Sequence, residues 1–130
     1  MRAIILAAGQ GTRMLPLTRD VPKSLLPLGD STILGRLVTQ LMAAGVTAIT
    51  VVVGHEADRV AAEVRTASQG HASIVVNEGY LQDVNILSLN LALEQDPSPF
   101  LLLEADCIFT DRAMASILAG SLDGSSVWFA

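Results

Sequence analysis

Ala3-Ile4-Ile5-Leu6-Ala7-Ala8-Gly9-Gln10-Gly11-Thr12-Arg13-Met14 sets an unbroken apolar run directly ahead of a glycine-rich turn. A continuous run without polar alternation is the pattern of a strand buried on both faces, as in a parallel sheet. Gly9 and Gly11 then let the backbone take positive φ and approach a ligand closely. With Arg2 ahead of it, the run also looks like the start of a secretion signal. It ends at Gly9 after six residues (3–8), whereas a signal needs about 7–15 apolar residues and a cleavage site. A first strand over Ala3–Ala8 is therefore expected, and a cytoplasmic protein.

Outward from this strand, short apolar runs alternate with helical spacing. Thr32–Ala44 carries Ile33, Leu34, Leu37, Val38, Leu41 and Met42 on one helical face, and Gly45 stops it. Ala48–Val53 reads as a β-branched strand and Ala57–Ala67 as a helix with Val60, Ala61 and Val64 inward. Ser73–Val76 is a third strand, Asn85–Leu93 a helix, Phe100–Glu104 a fourth strand, Arg112–Ala119 a helix, and Ser126–Phe129 the start of another strand. Strand–helix alternation with continuously apolar strands predicts a mostly parallel α/β sheet, doubly wound with helices on both faces. The last residues, Val127-Trp128-Phe129-Ala130, leave an apolar strand with nothing after it. Residues 1–130 are therefore expected to be the N-terminal part of a longer, truncated fold.

Composition narrows the partners. The chain has 130 residues, 51% of them hydrophobic, with a net charge of −5, and the mean hydropathy is +0.50. No run approaches the roughly 20 apolar residues of a membrane span, so no membrane is expected. The acidic balance argues against a nucleic-acid surface. The single cysteine, Cys107, excludes an internal disulfide. Lys23 is the one lysine, and it shares the glycine- and proline-rich segment with Arg13. An acidic chain that gathers cations in one loop is expected to meet a small anion.

That loop lies where open α/β sheets bind ligands, beyond the carboxyl end of a strand. Its successive N–H groups can form a concave anion site. Gly9-x-Gly11 by itself also reads as a plain tight turn. Met14 stands where a dinucleotide fingerprint needs its third glycine, and no Gly-Lys-Ser/Thr of a P-loop follows. Arg13 offers a planar fork to phosphate oxygens and Lys23 a compact charge. Pro16 and Pro22 stiffen the excursion between them, and Pro22-Lys23-Ser24-Leu25-Leu26-Pro27-Leu28 sets the lysine beside an apolar anchor.

The segment LAAGQGTRMLPLTRDVPKSLLPL, residues 6–28, resembles the N-terminal signature of the sugar-phosphate and choline-phosphate nucleotidyltransferases, Leu-x-Ala-Gly-x-Gly-x-Arg-Met-x-Pro-Leu-Thr…Pro-Lys-x-Leu-Leu-Pro. The resemblance implies a Rossmann-like fold of the nucleotide-diphospho-sugar transferase type. It also implies that the loop wraps a triphosphate. Ala7, Ala8, Gly9, Gly11 and Thr12 would contact the nucleotide, while Arg13 and Lys23 would bind it and act in catalysis.

Two further clusters follow. Leu101-Leu102-Leu103-Glu104-Ala105-Asp106 is a strand ending in two carboxylates, which by itself also reads as an acid capping a turn. The resemblance makes Asp106 the ligand of a Mg²⁺ cofactor, a hard cation that suits carboxylate oxygen and bridges phosphates. Glu104, two residues earlier on the strand, points to the same face; it either holds a metal-bound water or faces solvent. Asn77-Glu78-Gly79-Tyr80 and Asp83-Val84-Asn85-Ile86-Leu87-Ser88-Leu89 resemble the Asn-x-x-Tyr…Asn-Asn-Ile-x-Ser-Leu segment of phosphocholine-type cytidylyltransferases, with Val84 where an asparagine is common. By that resemblance Asn77, Asn85 and Ser88 read the base; by the residues alone, Asn85 and Ser88 equally cap a helix. His55 and His71 lack partners at metal-ligand spacing and are expected on the surface.

The resemblance thus implies a Mg²⁺-dependent nucleotidyltransferase. A phosphate or phosphonate acceptor attacks an NTP, expected to be CTP, and pyrophosphate leaves. Two alternatives stand beside it: a sugar-1-phosphate uridylyl- or thymidylyltransferase, and a catalytically incomplete nucleotide-binding domain without the acceptor pocket.

Overall fold

The computed structural model describes residues 1–11, 14–17, 19–82 and 84–120. The strand expected at Ser126–Phe129 and the roles expected of Thr12 and Arg13 lie outside the described residues. Strands β1 (Arg2–Ala7), β4 (Ala48–Val53), β5 (Ser73–Val76) and β6 (Leu101–Glu104) form a parallel sheet in the order β5-β4-β1-β6. Between β1 and β4 lie a two-residue hairpin, β2 (Pro27–Leu28) with β3 (Ser31–Thr32), and helix α1 (Ile33–Ala43). Helices α2 (Ala57–Ala67), α3 (Asn85–Gln95) and α4 (Asp111–Gly120) follow β4, β5 and β6 in turn.

Every residue of β1 is buried, because it pairs on both sides and its two faces are both covered. The register sets Ala3, Ile5 and Ala7 beside Ile49, Val51 and Val53, with Leu103 beyond Ile5. These side chains meet Leu34, Leu37, Val38 and Leu41 of α1, Val60 and Val64 of α2, and Met114 of α4. The alternate residues, Ile4, Leu6, Val52 and Val75, meet Ala92 of α3 on the opposite face. Helices on both faces make the sheet doubly wound, as expected.

Thr32 caps α1: its Oγ1 accepts the Gly35 N–H at 2.9 Å and donates to Glu63 Oε1 of α2 at 2.7 Å. A Cβ at Gly35 would stand 2.4 Å from that carboxylate, so the glycine lets α1 and α2 approach. Gly45, at φ +86, ends the helix in the left-handed conformation that glycine adopts at little cost. The hairpin turns at Gly29, φ +64, and was not foreseen, since two-residue strands carry no periodicity. Among the described residues, no helix is long and apolar enough to cross a membrane.

Candidate functional site

The carboxyl ends of the neighbouring strands β1 and β6 open into one cleft of about 250 Å³. Its lining includes Ala7, Ala8, Gly9, Gly11, Met14, Lys23, Ser24, Asn85, Glu104 and Asp106. The cleft joins four segments of the chain, and each is anchored by the fold. The Ala105 N–H donates to Leu6 O at 3.0 Å, which extends the β1–β6 ladder by one bond and sets Asp106 opposite the glycine loop. Gly11 takes φ +65, and the Met14 N–H returns to its carbonyl at 3.1 Å.

Lys23 opens a 3₁₀ turn over Lys23–Leu25, closed by Leu25 N–H to Pro22 O at 2.8 Å and Leu26 N–H to Lys23 O at 3.2 Å. Ser24 is buried and Leu25 packs on the main core, so the apolar anchor expected beside the lysine is present. Lys23 Nζ donates to Asp106 Oδ2, and both side chains are about one-third exposed at 35%. Farther back, Arg59 of α2 holds the excursion by donating to Asp20 O at 2.8 Å and pairs with Glu56 at 2.7 Å.

Glu104 faces the cleft and accepts a 2.8 Å hydrogen bond from Asn85 Nδ2. A carboxylate only accepts, so the Asn85 amide nitrogen must face it, leaving Oδ1 and one N–H for a ligand. Loss of hydration raises the Glu104 pKa above the ordinary range; the Asp106 charge adds to the rise and Lys23 opposes it. Burial likewise raises the Cys107 thiol, with Asp106 and Glu104 adding to the effect. A raised thiol pKa disfavours the thiolate, the nucleophilic form.

Asn77 and Ser88, both buried, are turned away from the cleft lining toward each other. Asn77 Nδ2 donates to Ser88 Oγ at 2.9 Å, and its Oδ1 accepts the Gly79 N–H at 2.9 Å. The Asn77 N–H bonds Val53 O at 2.7 Å, continuing the β4–β5 ladder. These bonds pin the 77–82 loop between the sheet and α3. Helix capping does not describe Asn85 either, since Val84 holds the cap position without a side-chain bond and the Asn85 amide is committed to Glu104.

One junction was not foreseen. Gly54 follows β4, and a Cβ there would stand 2.6 Å from Tyr80 Cβ and 3.0 Å from Ala8 Cβ and O. The His55 N–H donates to Ala8 O at 3.1 Å, and its ring meets Tyr80 at 5.9 Å between centroids. His55 is therefore half-buried support for the glycine loop, whereas His71 is exposed as expected. The bare Gly54 at a strand end was the available signal, because such a glycine marks close backbone approach.

Among the described residues, no three His, Cys, Asp or Glu side chains group to hold a metal. Asp106, with Glu104 nearby, instead suits a divalent ion held by one or two carboxylates and completed by phosphate oxygens and water, the usual arrangement for Mg²⁺.

Residues 3–130 match the family described as the MobA-like NTP transferase domain. The 2-aminoethylphosphonate cytidylyltransferase of Lancefieldella rimae is 35% identical over 113 residues, covering 85% of this chain and 44% of that protein. The mannose-1-phosphate guanyltransferase of Aspergillus fumigatus is 34% identical over 112 residues, covering 83% and 31%. The CTP:phosphocholine cytidylyltransferase from Streptococcus pneumoniae has a similar structure, with a TM-score of 0.74 and 29% identity over 85% of this chain and 47% of that one. The inositol-1-phosphate CTP transferase from T. maritima shares the fold at a TM-score of 0.77 and 24% identity, covering 96% and 49%. The chain spans less than half the length of each of these relatives.

Proposed function

The chain belongs to the MobA-like NTP transferase domain family, and from that premise we propose that it supplies the nucleotide site of a nucleotidyltransferase that uses CTP. In the reaction, an oxygen of a phosphate or phosphonate monoester forms a bond to the α-phosphorus of the triphosphate. The bond from that phosphorus to the bridging oxygen breaks, and pyrophosphate leaves. The acceptor oxygen is already ionised, so the protein needs no side-chain nucleophile; positioning and charge stabilisation carry the catalysis.

The observation that carries this reading is the convergence of the glycine loop, Lys23, Asn85 and Asp106 on one cleft at the ends of β1 and β6. Backbone groups of Ala7, Ala8, Gly9 and Gly11 cradle the phosphates, with Thr12 joining them by family resemblance. Arg13, by family resemblance, and Lys23 neutralise them. Asp106 would hold Mg²⁺, which when bound withdraws charge from the phosphate oxygens. Asn85 presents its free Oδ1 to the base. Asn77 and Ser88 act behind it, fixing the loop that leads into α3.

The cytidylyl assignment rests on the segment from Asn77 to Ser88 and on the cytidylyltransferases among the relatives. The guanyltransferase relative of comparable identity supports a second reading, the same chemistry with another base and a sugar 1-phosphate. Thermal shift with CTP, UTP, dTTP and GTP, each with Mg²⁺, separates the two. CTP should raise the melting temperature most, and Lys23→Ala should weaken its binding about tenfold or more. A larger shift with another triphosphate would overturn the cytidylyl assignment, and no shift with any would overturn the nucleotide site. Pyrophosphate release with phosphocholine or 2-aminoethylphosphonate then distinguishes transfer from nucleotide binding alone.

A further inference from the structure

Lys23 and Asp106 are the two described charges that the proposed site assigns to the triphosphate and to the metal, and the fold pairs them with each other. Neither sits on a loose segment. Lys23 heads a turn held by the buried Ser24 and by Leu25 on the core, and Asp106 follows a residue bonded to Leu6 O. Glu104 adds a second carboxylate to the same cleft. At 35% exposure for each partner, the pair is partly screened, strong enough to compete with a ligand and weak enough to exchange.

This pairing penalises each ligand when it comes alone. To bind a free divalent cation, Asp106 must give up the ammonium, leaving Lys23 unpaired beside a like charge. To bind a metal-free triphosphate, Lys23 must leave Asp106, and the phosphates then lie against two uncompensated carboxylates. When both come together, Lys23 passes to a phosphate oxygen and Asp106 to the cation, and neither charge is left alone. Resting on the nucleotide site proposed above, we infer that the Lys23–Asp106 pair is an exchange lock that makes the cleft select the metal–triphosphate complex over either component. The linkage is reciprocal: the cation strengthens nucleotide binding by the same factor as the nucleotide strengthens cation binding.

The test uses the 130-residue chain and its Lys23→Gln and Asp106→Asn variants, with folding checked by circular dichroism. Mn²⁺ alone is titrated by the paramagnetic resonance signal of the free ion, CTP alone by calorimetry in EDTA, and the two together by calorimetry. Lys23→Gln should bind Mn²⁺ alone about tenfold more tightly than the wild type, near the low end of usual coupling. Asp106→Asn should bind metal-free CTP more tightly by a similar factor, even though it loses the further tightening by Mn²⁺. A pair with only a structural role predicts no gain in either variant. If the wild type binds Mn²⁺ with CTP and neither variant gains affinity for its single component, the exchange lock is overturned while the nucleotide site stands. If the wild type does not bind the two together, the site falls and the lock with it. Should one variant fail to fold, the other decides alone.

Discussion

Arg2 opens strand β1 and Ala7 closes it, and the two ends treat charge in opposite ways. The Arg2 side chain is 7% exposed, and it turns to the C-terminal end of α3 and the segment that follows. It donates to Ala92 O at 3.2 Å and Ser98 O at 3.3 Å, pairs with Asp96 at 3.3 Å, and lies 6.0 Å from the centre of the Phe100 ring. Ala92 O belongs to the last turn of α3, where the helix dipole favours a cation. At the other end, Lys23, Glu104 and Asp106 stand partly in water, Lys23 paired with Asp106 and Glu104 accepting from Asn85. A charge whose partners are main-chain carbonyls is consumed by the fold. Charges paired with exchangeable side chains at strand ends remain available to a ligand.

An acid beside each end, Asp96 at one and Glu104 at the other, shifts in opposite directions because its surroundings differ. Asp96 is held below the ordinary carboxylate range by hydrogen bonds from the Ser98 side chain and backbone, with Arg2 adding to the effect. Glu104 is raised, chiefly by loss of hydration.

Removing Arg2 should break the comparison most severely. Arg2→Met removes a buried guanidinium with its bonds to the carbonyls of Ala92 and Ser98 and its pairing with Asp96, at an expected cost of roughly 2–3 kcal/mol in urea unfolding. Nucleotide binding by the folded fraction should stay within about twofold of wild type; a larger loss would show that the two ends are coupled. Gly54→Ala should come next, at about 1–3 kcal/mol, because its Cβ would meet Tyr80 and the Ala8 backbone. Unlike Arg2→Met, it should also weaken nucleotide binding, and unchanged affinity would rule out a role for this junction in holding the loop.

The smallest effects are the pH slopes, and they should have opposite signs. Asp96 titrates lower when folded, so its contribution to stability is present above about pH 4 and is lost as the pH falls through the depressed value. The stability gap between wild type and Asp96→Asn should therefore close in acid. Glu104 titrates higher when folded, so its ionisation costs stability as the pH rises from about 4 through the raised value. Glu104→Gln, which can still accept from Asn85, should be at least as stable as wild type at neutral pH and lose that advantage in acid. Parallel slopes for the two variants in urea midpoints taken from pH 3 to 7 would refute the contrast.

Most of the architecture was legible because it is written in local periodicity. Ala48–Val53 and Ser73–Val76 are β-branched runs that suit buried parallel strands, and Val60, Ala61 and Val64 repeat at helical spacing; the observed elements have those bounds. The glycine loop was legible too, since Gly9, Gly11, Lys23 and the intervening prolines lie within one short segment. The β2–β3 hairpin was not, because it is shorter than any period, and the seat of His55 depends on Tyr80, which reaches it only through the fold.

The sequence by itself determined the alternating elements, the apolar centre of the sheet and the chemistry of the loop, because each depends on residues close together in the chain. Only the tertiary structure decided what those chemical groups face. Parallel pairing of β1 with β6 brings Lys23 to Asp106 across 83 positions, and the seating of α3 gives Asn85 to Glu104 while closing Asn77 onto Ser88. Such contacts leave no period in the sequence. They follow from strand order and from burial, which removes water and so favours a partner within the protein for most buried polar atoms.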